Sequence, residues 1–589
     1  MTFLRFLKLV SYCLISVCLS IGQAVAQKSN QKKKYSTKSS QAIKQYEQAT
    51  DFYNKKQDAA ALESLLKAIQ SDSNFIEAHI MLAGVYSDSD LKEKGISEYR
   101  TAIRIKPDFF PNVFYSMAIL LLETGQYGEA AENFRKFLTY PVNNSGLLRN
   151  TKRFLGICEF GINAVNHPVP YDPKNLGEKI NTKFGEYSPA VTADENFLFF
   201  TSIQPRNGNA REEDIYFSEK TDSGWTRAGS VGPPVNTDAN EGTVSIAPDG
   251  KTLYFTVCGR EDGFGSCDIY EVKKIGNRWT QLKNLGQTVN SRSFDSQPSI
   301  ASDGRTLYFV SNRPGGTGAT DIYKTVKNDL GVWSVPVNLG KTINTIGSEQ
   351  SPFIHPDNKT LYFSSDELPG LGGNDFFYSR MNEKGEWQTP VNLGYPINTF
   401  ANERNFIVNA KGDYAYIATD RLKEKNDFDL YKFELYPEAR PLKVSYLKGR
   451  VFDKDSRNIL EAKFELIDLA SGKTIIESFS NKGNGEFLVC IPAGENYALN
   501  VSAAGYLFYS DNFSLKTLGK EADDVFTKDV PMIPVRKGES VVLKNIFFET
   551  NSFQLKDESK VELNKLVAFL KDNSQRKIEL GGYTDNDGD

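Results

Sequence analysis

Histidine is almost missing from this chain, with three in 589 residues, and that scarcity removes whole classes of chemistry. His79 falls in a helical stretch, His167 in a proline-rich linker and His355 in a turn, none with an evident partner. A His-based nucleophile–base pair or a His-rich metal cluster has nothing to be built from. No Gly-x-Ser-x-Gly elbow occurs either. Carboxylate-only catalysis of the glycosidase kind is the one enzymatic reading left open, because Asp and Glu are plentiful. We read no catalytic residue, no metal site and no cofactor. An excess of one charge is also lacking: 70 Lys and Arg face 74 Asp and Glu, so nothing in bulk pulls the chain toward nucleic acid. The apolar run Leu9–Ile21 is too short to span a bilayer, and no later stretch is apolar enough. With Arg5 and Lys8 before it and Ala24-Val25-Ala26 after it, that run is the core of a secretion signal over 1–26. Two of the six cysteines fall inside the signal. Cys258 and Cys267 flank the loop Gly259–Ser266, at a strand end and the start of its antiparallel partner. A disulfide is the favoured reading in an oxidising compartment, two unpaired thiols the alternative. Cys158 and Cys490 read as ordinary buried residues.

What is present is repetition. Trp225, Trp279, Trp333 and Trp387, the only tryptophans, lie 54 residues apart. An Asn-Leu-Gly-like motif recurs with its glycine at Gly177, Gly232, Gly286, Gly340 and Gly394. An asparagine follows four positions later, at Asn181, Asn236, Asn290, Asn344 and Asn398. Each unit also has an Asp before an apolar–aromatic pair, at Asp214, Asp268, Asp321, Asp375 and Asp429. Turn-and-strand runs such as Ala301-Ser302-Asp303-Gly304-Arg305-Thr306-Leu307-Tyr308-Phe309 supply tight hairpins through Asp-Gly. A period near 50 residues built of short strands predicts a β-propeller over 165–438, with five blades, or six if flanking strands complete one. Because the five Asp recur by repeat position, a turn or strand-end role explains them better than catalysis. The repeats resemble the PD40 or TolB-like group of WD40-like propellers.

Residues 27–40 are polar and Lys-rich, a flexible leader. Over 41–164 the period turns helical, with a second repeat. Small residues align at Ala49, Ala83 and Ala118, and at Ala61, Gly95 and Ala130, with large ones at Phe52, Tyr86 and Leu121. Close helix pairs need such small residues, and the pattern resembles the tetratricopeptide repeat: three units and a capping helix in an α-solenoid. That family binds peptide or protein segments in its concave face, so the resemblance implies a protein partner.

Residues 439–535 alternate in short runs, among them Leu447–Asp453, Ala462–Asp468, Gly483–Val489 and Tyr497–Tyr506, and read as a β-sandwich. They resemble the carboxypeptidase regulatory-like domain. Residues 536–589 read as β-α-β, with a strand over Ser540–Phe548, a helix over Lys556–Lys571 and a second strand from Lys577. Asn545-Ile546-Phe547-Phe548-Glu549-Thr550-Asn551-Ser552 and Gly582-Tyr583-Thr584-Asp585-Asn586 resemble the OmpA C-terminal, peptidoglycan-binding domain. In that family an Asp binds the ammonium of diaminopimelate and an Arg further on binds its carboxylate. The carry-over falls on Asp585, flanked by Thr584 and Asn586, while Tyr583 replaces the usual His. The Arg and second half of that domain lie beyond Asp589, so this α/β module is expected to be the N-terminal half of one in a longer protein. Asp585, Asp587 and Asp589 also match the first ligands of an EF-hand loop, a calcium alternative without the preceding helix.

The order of modules resembles the multidomain OmpA-family proteins of the Bacteroidetes envelope, including peptidoglycan-associated accessory proteins of type IX secretion such as the PorE type. The resemblance implies a non-enzymatic scaffold in the periplasm, associated with the outer membrane. It would hold peptidoglycan and grip outer-membrane β-barrel or secretion partners, with no nucleic acid and no transmembrane segment. The alternatives are a periplasmic or surface propeller that binds glycan or peptide, and a carboxylate-based glycan-active enzyme.

Overall fold

The computed structural model describes residues 34–206, 210–247, 250–276, 278–328, 330–422, 427–492, 496–514, 525–550 and 552–582. The signal and most of the leader lie outside the described residues.

The chain is multidomain, with a helical region first and many small antiparallel sheets after it. Helices α1 (Ser40–Asn54) and α2 (Asp58–Ser71), α3 (Ile76–Asp88) and α4 (Lys92–Ile105), α5 (Asn112–Leu122) and α6 (Tyr127–Leu138) pack as successive pairs, followed by α7 (Ser145–Asn166). Side chains cap two of them: Ser39 accepts from the Ala42 N–H and Asn144 from the Leu147 N–H. The small residues sit where the spacing requires: a Cβ at Gly95 would meet the Ala83 carbonyl at 3.0 Å. Tyr115, Phe134, Phe137 and Phe154 fill the core between the last three helices.

Next come five sheets of one plan. Their first strands are Gly185–Val191, Asn240–Ile246, Asp295–Ile300, Glu349–Ile354 and Arg404–Val408. Each pairs antiparallel with a second strand, that with a third, and the third with a two-residue outer strand. The first strands contact their neighbours in cyclic order, the last touching the first. The outer strand of the fifth sheet, Lys174–Asn175, comes from the far N-terminal side and pairs with Asp429–Glu434, closing the ring.

The repeat residues explain the ring. In all five sheets the recurrent asparagine acts as a strand residue. Its Oδ1 accepts the N–H of one third-strand residue and its Nδ2 donates to the same residue's carbonyl, at 2.9 and 3.0 Å for Asn344 on Ile322. Asn181 clamps Leu430, Asn236 clamps Ile215, Asn290 clamps Ile269 and Asn398 clamps Phe376 in the same way. The glycine of the Asn-Leu-Gly motif has φ between 70 and 84° at its five positions, a left-handed turn open to glycine at little cost. Trp279, Trp333 and Trp387 each lie edge-on to a second-strand aromatic of the preceding sheet, Phe199, Tyr254 and Tyr308. Trp225 packs with Ala418 and Leu430 of the fifth sheet, completing the cycle.

Beyond the short 3₁₀ turn Pro437–Ala439, two four-stranded sheets face each other across a core that includes Leu447, Phe464, Phe487 and Leu499. One holds Glu486–Pro492, Val444–Asp453 and the short strands Val525–Thr527 and Val530–Met532; the other holds Thr474–Phe479, Lys463–Asp468, Asn496–Ser502 and Tyr509–Ser514. At the C-terminal end only the helix of the expected β-α-β forms, as α8 (Ser559–Asp572). The strand expected over Ser540–Phe548 is irregular, with a single bridge from Phe548 to Leu555, and 577–580 is not strand. Extended apolar segments become strands only when a neighbour satisfies their backbone along their length, and among the described residues only the short stretch around Leu555 pairs with the first of these. Instead, α8 packs on the second sheet, where Glu562 Oε2 accepts from Ser510 and Asn545 and Val561 meets Ile467 and Ala498.

Replacing Asn344 by alanine leaves the buried N–H of Ile322 without its acceptor, at about 1–3 kcal/mol, while the Ile322 carbonyl keeps the Leu339 N–H. The urea midpoint of Asn344→Ala should fall clearly below that of the parent chain. An unchanged midpoint would show that the clamp does not hold the sheet.

Candidate interaction site at the junction of helices and ring

The residues singled out in the sequence fall into three groups. Thr584, Asp585 and Asn586 lie outside the described residues, as do Asp587 and Asp589. Cys258 and Cys267 are bonded, S–S 2.02 Å, at facing positions of two paired strands. Cys158 and Cys490 are free and buried. The recurrent Asp residues hold loops. Asp268 accepts from the N–H groups of Phe264 and Gly265 and from Asn284, and Asp321 from those of Thr317 and Gly318 and from Asn338. Asp429 accepts from Asn175. Asp268 and Asp321 thereby fix the loops that precede the third strands of their sheets.

Each histidine is also accounted for. His79 Nδ1 meets Glu98 at 2.6 Å and Nε2 the Ser73 carbonyl at 3.0 Å, which ties α3 to α4. Burial opposes its charge, but the bonds to Glu98 and Ser73 outweigh that and hold its pKa above the usual value. His355 is buried beside Asp357 and the Asn409 carbonyl. His167 bonds the Asn163 carbonyl at the end of α7.

A second set of carboxylates went unnoticed in the sequence. Glu186, Glu241, Asp295, Glu349 and Glu403 open the first strands of the five sheets and are buried. Each accepts the N–H and hydroxyl of the Thr or Ser four residues earlier, as Thr345 donates to Glu349 at 2.9 and 2.7 Å. The signal was legible: Thr182, Thr237, Ser291, Thr345 and Thr399 directly follow the five clamping asparagines. Two residues beyond each of these acids lies a bulge residue with positive φ, at Ser188, Thr243, Gln297, Ser351 and Asn405, between 49 and 59°. These five line a central cavity of about 90 Å³, with Cys490 of the two-sheet region in its wall. Small-ligand sites run to roughly 300–1,000 Å³, so the axis has no room for a sugar.

The fourth sheet departs from this plan, and the helices meet the ring there. After the second strand, Arg313 in the third sheet pairs with Asp295 at 2.5 Å, and Arg421 in the fifth with Glu403 at 3.4 Å. The fourth sheet has Glu367 at that position, and Arg153 of α7 pairs with it and donates to the Asp366 carbonyl at 2.6 Å. Leu371 enters the helical core, and Val169 donates to the Tyr395 carbonyl at 2.7 Å. A Cβ at Gly125 would meet the Phe400 ring at 2.9 Å, so the α5–α6 turn lies directly on that side chain.

Seating the helices there leaves acids poorly served. Asp375 Oδ1, Glu403 Oε2 and Asn374 Oδ1 are buried without a hydrogen-bond partner among the described residues. In this sheet Asn392 donates to the Pro369 carbonyl, whereas Asn284 and Asn338 donate to the recurrent Asp of their sheets. Burial pushes Asp375 up to about 8, against hydrogen bonds from Leu371 and Gly372. It pushes Glu349 up to about 7 despite its Thr345 donors, and holds Glu403 well above the carboxylate range against the pull of Arg421.

Residues 76–109, spanning α3 and α4, match the tetratricopeptide repeat family. The chain is similar over 20% of its length to 98% of the TPR2B domain of yeast Sti1, seen in complex with pHsp70, at 16% identity and TM-score 0.19. It is similar over 21% of its length to 64% of a MamA protein, at 17% identity and TM-score 0.19. The Sgt2 TPR domain of Aspergillus fumigatus aligns over 91% of its length with 24% of this chain, at 15% identity and TM-score 0.19. No curated protein sequence matches.

Asp375 and Glu349 titrate higher in the folded chain than the roughly 4 of an unfolded carboxyl. Their protonated forms favour the native state, so that contribution is complete below pH ~4 and is lost as pH rises through the folded values. The thermal midpoint of the ring should fall between pH 5 and 8.5, and Asp375→Asn should flatten the fall. A midpoint that rises over this window, or a variant with the parent slope, would contradict the assignment.

Proposed function

We propose that this protein is a non-enzymatic scaffold of the cell envelope that links protein partners to peptidoglycan. One observation carries the reading: a tetratricopeptide repeat lies in a helical array docked on a ring whose repeated carboxylates are engaged in holding its own loops and turns. That arrangement supports assembly rather than catalysis. The five-sheet ring is a five-bladed propeller of the PD40 kind, its closing strand drawn from Lys174–Asn175. The two facing sheets are the carboxypeptidase regulatory-like sandwich.

The helical array is the surface for a protein partner, an outer-membrane β-barrel or secretion component in the envelope reading. The OmpA-like module binds the wall through Asp585, which takes the ammonium of diaminopimelate. Several weak contacts on one chain raise effective concentration and make a tether.

The test is co-sedimentation of the full natural protein with purified sacculi. The parent protein should pellet, free diaminopimelate should compete, and Asp585→Ala should lower the pelleted fraction at least tenfold. Equal pelleting of the variant, or none by the parent, would move the function to the helices and ring alone.

A further inference from the structure

Where the ring meets the two-sheet region, a cleft of about 530 Å³ opens between the second and third sheets of the ring and the edge strand Thr474–Phe479. Its walls hold seven Lys and Arg side chains against three Glu. Each glutamate is already engaged. Glu271 lies 3.1 Å from Lys327 and 3.4 Å from Lys273. Glu477 is held by Arg305 at 2.5 Å and by Lys463 at 3.0 Å, and Glu461 by Lys482 at 4.0 Å. Lys274 meets no carboxylate among the described residues and lies over the Trp279 ring at 5.6 Å, and Lys283 makes no ion pair among them. Asp249 and Asp329 adjoin the cleft in sequence but lie outside the described residues; counting both, the balance is still seven to five.

We infer that this cleft is a binding site for a compact polyanion, a small molecule bearing at least two phosphate or carboxylate charges. The volume falls within the range of small-ligand sites, which the axial cavity does not. A concave surface with excess charge of one sign focuses its potential and concentrates the counter-ion. Lys327 records that field from inside. It donates to the Tyr254 hydroxyl at 3.0 Å and lies 4.5 Å from the centre of the Trp333 ring. Its pKa is lowered by burial, against the pull of Glu271 and with the push of Lys273 and Lys283. A bound anion near Lys273 and Lys283 would offset that push. Lysine presents compact, mobile charges suited to an anion of several oxygens. The two walls belong to different parts of the chain, bridged by Lys251 donating to the Glu486 carbonyl and by the Asn481 side chain accepting from the Gly276 N–H. An occupant would therefore clamp ring and two-sheet region together.

The probes are inorganic pyrophosphate and citrate, titrated calorimetrically into the full chain at low ionic strength, with sodium chloride of matched ionic strength as reference. Lys283→Glu reverses an exposed charge, and Lys274→Met keeps an aliphatic stem over Trp279. The parent chain should bind one equivalent of at least one probe saturably, and the double variant about tenfold or more weaker, while Lys560→Ala on α8 binds like the parent. Binding of pyrophosphate alone identifies a phosphate ligand, of citrate alone a carboxylate ligand, and of both in competition a site that reads charge. Unchanged circular dichroism and melting of the double variant separate lost binding from lost fold. Non-saturable heat, binding no stronger than chloride, or equal affinity in the double variant would overturn the inference.

Discussion

One side-chain amide per repeat substitutes for backbone, and the ring depends on it. The outer strand of each sheet is only two residues long, so it cannot pair the whole third strand. Unpaired backbone groups in a buried sheet are costly; the Ile322 carbonyl already accepts from the Leu339 N–H, and the Ile322 N–H is the group that relies on a side chain. The asparagine supplies the acceptor for that N–H and adds a second donor to the carbonyl. Its own position is set by the previous motif residue, since Asn338 Oδ1 accepts from the Gly340 N–H and from the Asn344 amide, both at 2.8 Å. Asn181 makes the same clamp on Leu430 across 249 residues, so the ring is closed by the bond that builds each sheet.

Buried charge follows from the same economy of donors. A carboxylate inside the ring survives only where N–H groups, hydroxyls or an arginine converge on it, because an unpaired buried charge is strongly unfavourable. The third and fifth sheets meet this with Arg313 and Arg421. The fourth sheet has Glu367 instead and takes its arginine from α7. One reversed charge in a repeat thus marks where a different domain is seated. Asp375 of that sheet and Glu403 of the next each keep one oxygen without a partner among the described residues.

What the sequence made legible was whatever it repeats. Tryptophan spacing, the Asn-Leu-Gly turn and the clamping asparagine recur in register, and the small–large alternation at 34–35 residues marked the paired helices. The first-strand acids recur as regularly, but Ser291 and Asp295 replace Thr and Glu in one unit and blur the pattern. Contacts used once left no periodic trace: Arg153 and the Asp366 carbonyl meet across 213 residues with no motif on either side. The strands expected at the C-terminal end failed for a different reason. An alternating apolar segment specifies a face, whereas a strand also needs a partner, and Ser540–Phe548 finds side chains of α8 and the second sheet instead.

The ring's two faces are put to different use. The hairpins between first and second strands lie on the side of the two-sheet region. There Asp357 accepts from the Leu442 N–H, Arg305 holds Glu477, and Cys490 lines the end of the axial cavity. The loops between second and third strands lie at the opposite ends of those strands. The helices cover them at the fourth sheet through Asp366, Glu367 and Leu371. The loop joined by Cys258 and Cys267 belongs to that second face, yet its residues are absent from the helical core and from the contacts of α7. That loop is held by the ring itself: Ser266 donates to the Ser293 carbonyl, Phe264 and Gly265 donate to Asp268, and the disulfide further restricts the unfolded loop.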